Sequence, residues 1–176
     1  MTDKAGWIRA AVDQFERPLI TYALRMTGEL ETARDVVQDT FLKLWLADQA
    51  GIEDHLAPWL YRVCRNRALD VLRKEGRMTT FDDDRLSACA PKGTPQQDNA
   101  TGDHTLLDSM RTLPARQQEI LRLKFQGGLT YKQIAEVMDL TASNVGFLIH
   151  TSIKALRDQL APHGDQPGEA ATGAAR

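Results

Sequence analysis

Arg62, Arg65, Asn66, Arg73 and Arg77 fall within an arc of roughly 120° when the chain is wound at about 100° per residue. Leu60, Val63, Cys64, Ala68 and Val71 fall opposite. A continuous row of guanidinium donors suits contact with phosphate oxygens, not the making or breaking of bonds. A merely solvated helix face intersperses acids for i,i+4 pairing, yet only Asp70 and Glu75 interrupt this one. Covalent and metal chemistry find no comparable support. His55, His104, His150 and His163 lack metal-ligand spacing, and Cys64 and Cys89 form no C-x-x-C pair. There is no Gly-rich phosphate loop and no paired Ser, Cys and His motif. The expectation is a non-enzyme with no cofactor and no metal.

The formal net charge of -2 over 176 residues argues against a uniformly basic coat, but its distribution is blocked. Residues 28–56 carry seven acids against two bases, whereas 57–77 carry six bases against two acids. The acids prevail again over 78–110 and the bases over 111–160. Local potential governs association more than the net charge does, so the basic blocks suit polyanions and the acidic ones a basic partner. Met1 to Ala11 has no apolar signal core, and no stretch approaches the roughly 18 apolar residues that span a membrane. With no disulfide framework, a cytoplasmic chain is expected.

The elements that position these faces are helical. Ile8, Val12, Phe15, Leu19, Tyr22 and Met26 recur at helical spacing, and Pro18 interrupts the stripe. Because proline is tolerated in a first turn and not in an interior, one helix is expected to end near Arg17 and another to run from Pro18 to Gly28. Ala33, Val36, Val37, Thr40, Phe41, Leu44 and Trp45 give a third helix its inner face, with Asp35, Gln38, Asp39 and Lys43 turned away. Ala47 to Ala57 reads as a loop, and Pro58 opens the basic fourth helix to about Lys74. Arg67 also points to its apolar side and must either pair there or snorkel to solvent. Periodicity vanishes from Gly76 to about Asp103, where Asp82, Asp83 and Asp84 precede Pro91, Gly93 and Pro95.

Helical patterning resumes near Leu106. Pro114 starts a helix that Gly127 and Gly128 stop. Thr130-Tyr131-Lys132-Gln133 has the form of a capping box, and Ile134, Ala135, Val137 and Met138 follow on a short helix. Asp139-Leu140-Thr141 is a tight turn, with Thr141 as N-cap of a last helix whose inner face is Val145, Leu148, Ile149, Ser152 and Leu156. Helix, turn and helix in this order read DNA.

Taken together these phrases resemble the extracytoplasmic-function (ECF) sigma factors of bacterial RNA polymerase, over about 8–77 and 104–160. Ala33 to Trp45, A-R-D-V-V-Q-D-T-F-L-K-L-W, is similar to the helix by which the family binds the polymerase clamp. Pro58 to Arg73, P-W-L-Y-R-V-C-R-N-R-A-L-D-V-L-R, is similar to its promoter-melting helix. Leu113 to Phe125 and Leu129 to Met138 resemble its C-terminal domain.

The resemblance implies an all-α chain of two small helical domains joined by a flexible linker, the second a helix-turn-helix (winged-helix-like sigma region 4). The domains are 1–77 (region 2), an acidic linker 78–103, region 4 over 104–162 and a disordered tail 163–176. Asp35, Gln38, Asp39, Leu42 and Lys43 would bind the β′ clamp, with region 4 on the β flap. Arg62, Arg65, Asn66, Arg73, Lys74 and Arg77 would hold the minus-ten region, with Asn66 near strand separation. Thr130, Ser143, Asn144, Phe147, His150, Thr151 and Lys154 would meet the minus-thirty-five element. The linker would thread toward the RNA exit path, and an anti-sigma factor is implied by family habit.

The sequence departs from the family in its recognition helix, which has Lys154 and His150 where several Lys and Arg are usual. Gly146 costs that helix about 1 kcal/mol relative to Ala. Phe147 suits thymine methyls or a covered apolar patch. A conventional helix-turn-helix regulator with an N-terminal dimerisation or sensing domain would explain 111–160 equally well. It would not explain a basic fourth helix beside an acidic third one.

Overall fold

The computed structural model describes residues 4–76 and 108–160. The linker over 78–103, the tail over 163–176, Arg77 and Cys89 lie outside the described residues. Among these, α1 spans Lys4–Thr27, α2 Leu30–Leu46, α3 Leu56–Lys74, α4 Ala115–Phe125, α5 Tyr131–Met138 and α6 Ala142–Leu160. Two short 3-10 turns, Gln49–Gly51 and Glu53–His55, fill the loop before α3. No strand occurs among the described residues, so the likeness to a winged helix rests on the helices alone.

The expected break at Pro18 does not occur: α1 is one helix with Pro18 inside it. The ring deprives the Gln14 carbonyl of its usual i+4 donor, a local cost that packing overrides. Ile8, Ala11, Leu19, Tyr22, Ala23 and Met26 make one buried stripe across both halves, while Pro18 itself faces solvent. Helical stability in a folded protein comes mainly from such a buried face.

Helices α1, α2 and α3 close on Leu19, Val36, Leu44, Leu60 and Cys64, all buried. Thr40 sits among them and donates to the Val36 carbonyl at 2.8 Å, so its hydroxyl is not left unpaired. Trp45 was expected on this inner face but is 52% exposed, because the helix has turned its last residues past the core.

Helix-turn-helix details follow the sequence closely. The Gln133 amide donates to Thr130 Oγ1 at 3.3 Å, and the Thr130 amide donates to Gln133 Oε1 at 2.9 Å, completing the capping box. Asp139 takes the left-handed conformation, φ 57° and ψ 50°, and the Asn144 amide donates to Thr141 Oγ1 at 3.2 Å. Val145 and Ile149 are buried against Ile134 and Ala135.

The two halves are not separate bodies in this structure. One hydrophobic core runs from Leu19, Tyr61 and Ala68 into Ile120, Leu123, Leu129 and Ile134, and α5 packs on α3. A smaller cluster of Leu113, Leu121 and Leu156 sits behind it.

Candidate nucleic-acid interface

Helix α3 carries the basic face because Leu60, Tyr61, Cys64, Ala68, Leu69 and Leu72 point inward and the residues between them must point out. Arg62, Asn66, Arg73 and Lys74 are exposed on its outer side. Arg73 is bonded to Asp70 at 2.9 Å on the same surface. Arg67 pairs and does not snorkel: it donates from Nε to Asp39 Oδ2 of α2 at 2.6 Å. This bond ties the basic helix to the acidic one, and it uses an oxygen of a carboxylate expected to face a partner.

Arg65 departs from the row. At the edge of the arc, it turns toward α4 and donates from Nε to Glu119 Oε1 at 2.9 Å, both side chains being buried at 11% and 8% exposure. The Tyr22 hydroxyl donates to the same oxygen at 2.6 Å. The Tyr22 ring meets Tyr61 edge-on, with centroids 5.2 Å apart. Burial and then the adjacent Glu119 charge push the Tyr22 phenol well above the usual tyrosine range. Burial works against the Arg65 charge, but Glu119 and the surrounding groups outweigh it and hold its pKa up. Neither Tyr22 nor Glu119 was anticipated as a functional residue. Glu119 stands four residues before Leu123 on the inward stripe of α4, and a lone acid on an apolar stripe was the available signal.

Gly127 lies beside this contact: a Cβ there would come within 2.8 Å of the Leu123 carbonyl oxygen and 3.2 Å of the Tyr61 ring. Its neighbour Gly128 is needed for another reason, a φ of 65°. Arg122, one turn from Glu119's partner face, is shifted down by burial and then by the like charge of Arg25 on α1.

On α6, Ser143, Asn144, Phe147, His150 and Lys154 are exposed, with Thr151 half-buried beside them. They share an arc of roughly 120°, opposite Val145, Ile149, Ser152 and Leu156. Phe147 is 67% exposed, held out on a rigid helix with no protein cover. A Cβ at Gly146 would lie 3.6 Å from the Tyr131 ring, an ordinary contact, so protein packing does not require glycine there. Thr130 serves the capping box at the mouth of the turn.

Helix α2 turns Asp35, Gln38, Leu42 and Lys43 outward. Leu42 is 58% exposed and Leu46, on the same side, 79%. Leu46 and Trp45 enlarge this face beyond the expected residues. An apolar strip edged with acids has no reason to face water unless something covers it.

Among the described residues no helix is long and apolar enough to cross a membrane, and no group of His, Cys, Asp or Glu is placed to hold a metal. Two basic or polar helix faces on an all-helical scaffold, one of them the second helix of a helix-turn-helix, define a DNA-binding protein of transcription.

Residues 11–78 match the family described as Sigma-70 region 2, and residues 104–156 match Sigma-70, region 4. The ECF RNA polymerase sigma factor SigL of Mycobacterium tuberculosis is 30% identical over 158 residues, covering 88% of this chain and 89% of that protein. SigM of Bacillus subtilis is 27% identical over 139 residues, 77% of this chain and 85% of that one. The fold is also that of the sigma factor RpoE of Bartonella quintana, solved in complex with the anti-sigma factor NepR. That match has a TM-score of 0.61 and 19% identity, and it covers 89% of this chain and 98% of that one. The chain belongs to the ECF RNA polymerase sigma factors, which direct promoter-specific transcription initiation. A conventional dimeric regulator is thereby disfavoured.

Proposed function

We propose that α3 and α6 are the two promoter-reading helices and that α2 is the polymerase-docking helix. Arg62, Asn66, Arg73 and Lys74 engage the minus-ten region, joined by Arg65 and Arg77. Base pairs open there without covalent chemistry, because binding to extruded bases offsets the few kcal/mol of unstacking per step. Ser143, Asn144, Phe147, His150, Thr151 and Lys154 enter the major groove at the minus-thirty-five element, with Thr130 at its edge. Phe147 meets thymine methyls, and the sparse positive charge of α6 makes its anchoring weak.

Asp35, Gln38, Leu42 and Lys43, with Leu46, dock on the basic coiled coil of the β′ clamp, and region 4 docks on the β flap. The acidic linker follows the RNA exit path. The chain works in the cytoplasm, has no catalytic activity of its own, and is held in check by an anti-sigma factor. The observation that carries this reading is the solvent-facing row Arg62, Asn66, Arg73 and Lys74 on a helix buried along its opposite side.

The test is binding of labelled full-length chain to core RNA polymerase at physiological salt. Reversing Asp39 would place a second cation against Arg67 and confuse fold with function. Asp35→Arg combined with Leu42→Ser avoids this, since both side chains are exposed. A loss of affinity of roughly a hundredfold, with an unchanged circular dichroism spectrum, is expected of a desolvated interface centre. Unchanged affinity removes α2 from the polymerase contact.

A further inference from the structure

Among the α2 residues expected at the polymerase, Asp39 alone is half-buried, and its carboxylate already holds a cation of α3. The bond is one-sided. Arg67 Nε donates to Oδ2 at 2.6 Å, and Oδ1 takes no protein donor among the described residues. An ionised carboxylate offers about four acceptor sites, so Asp39 can receive a second cation without releasing the first.

We propose that Arg67 is a positioning residue for polymerase docking: it fixes the Asp39 carboxylate so that Oδ1 meets the basic partner alongside Asp35, Gln38 and Leu42. The inference rests on the reading of α2 as the docking helix.

Both ends of the bond are rigidly seated. Asp39 stands between Val36 and Val37 on one side and Thr40 on the other, all buried, and Thr40 lies against Cys64 in the seam between α2 and α3. Arg67 follows Cys64 by three residues and stands one helical turn from Val63 and from Val71, both half-buried, with Val71 packed on the core. Its stem is thereby held while its guanidinium reaches α2. Asp35 and Leu42, one turn either side of Asp39, are exposed, so an oxygen directed outward from Asp39 joins their face. The bond does little for folding, because side chains 30% and 40% exposed leave it screened by solvent. A charged group already fixed at an interface, however, does not have to be ordered on binding. The sign of the effect separates this role from a purely electrostatic one. Arg67 adds positive charge beside a face that meets a basic partner, so by charge alone its removal should tighten docking. If Arg67 orients Asp39, its removal weakens docking.

The experiment measures the affinity of the labelled full chain for core RNA polymerase at physiological salt, in the parent, Arg67→Met, Arg67→Lys, Asp39→Asn and the double variant Arg67→Met with Asp39→Asn. Helicity and melting temperature are checked in each. Arg67→Met should weaken binding roughly tenfold, the scale of a charged hydrogen bond lost at the interface. Arg67→Lys, whose ammonium can reach the place of Nε, should restore most of that loss. In the Asp39→Asn background Arg67→Met should cost nothing further, because the residue acts only through the carboxylate. Unchanged or tighter binding by Arg67→Met overturns the proposal. So does a loss of the same size in both backgrounds, which makes Arg67 a matter of helix packing alone. If Asp35→Arg with Leu42→Ser weakens binding while Arg67→Met does not, only the positioning role is lost. If none of these variants weakens binding, the docking reading of α2 fails and the proposal falls with it.

Discussion

Arg62 and Arg65 are three residues apart on one helix and sit in opposite electrostatic circumstances. Arg62 is exposed and pays nothing to meet a phosphate, whereas Arg65 must first leave a buried carboxylate. Arg62→Ala should therefore weaken promoter binding severalfold and lower the salt slope by about one, with little change in melting temperature. Cys64 illustrates the opposite extreme. Burial pushes its thiol up to about 12, against a smaller lowering by Thr40. Thiolate is the reactive species, so native protein at pH 8 should show no alkylation at Cys64 until it is unfolded. Mass mapping of the labelled cysteines checks this. Gly146 links stability to function: Gly146→Ala should stabilise α6 by about 1 kcal/mol. If backbone approach to DNA is the reason for glycine, minus-thirty-five binding falls at the same time.

At the scale of elements, α1 carries a proline that its own packing overrules. Pro18→Ala restores a donor to the Gln14 carbonyl without touching the core, and the melting temperature should rise, by an amount that corresponds to about 1 kcal/mol or more. The helix-turn-helix was legible almost residue by residue, because caps and turns are local: Thr130, Gln133, Asp139 and Thr141 all do what their types require within four positions. The break expected at Pro18 was not legible correctly, since the local rule lost to a stripe from Ile8 to Met26 whose value lies in tertiary contact. The basic arc of α3 was legible in its periodicity and misleading at Arg65. Which edge of an arc is covered depends on a helix more than fifty positions away. Arg67 showed the converse: its position on the apolar side left pairing and snorkelling both open, and only the fold could supply Asp39. Leu46 lies in the outward arc of α2 and was readable there, whereas Trp45 needed the core's extent to be known.

On the scale of the whole molecule, a core continuous from Leu19 to Ile134 makes two sequence domains one cooperative unit. The Tyr22 phenol adds a pH limit to that state. Its pKa is raised in the folded chain, so its contribution is complete below the ordinary tyrosine value near 10. It is lost as pH rises beyond that value. The melting temperature should fall above about pH 10 in the parent and less so in Tyr22→Phe. Arg25 and Arg122 lead further. Arg25 is exposed and open to counterions, with a Debye length of about 8 Å at physiological ionic strength, whereas the Arg65–Glu119 bond is buried and screened little. Adding salt therefore relieves the repulsion at the junction more than it weakens the attraction. The same salt competes for the promoter's phosphates. Salt thus steadies the junction inside the chain while it loosens the chain's hold on DNA.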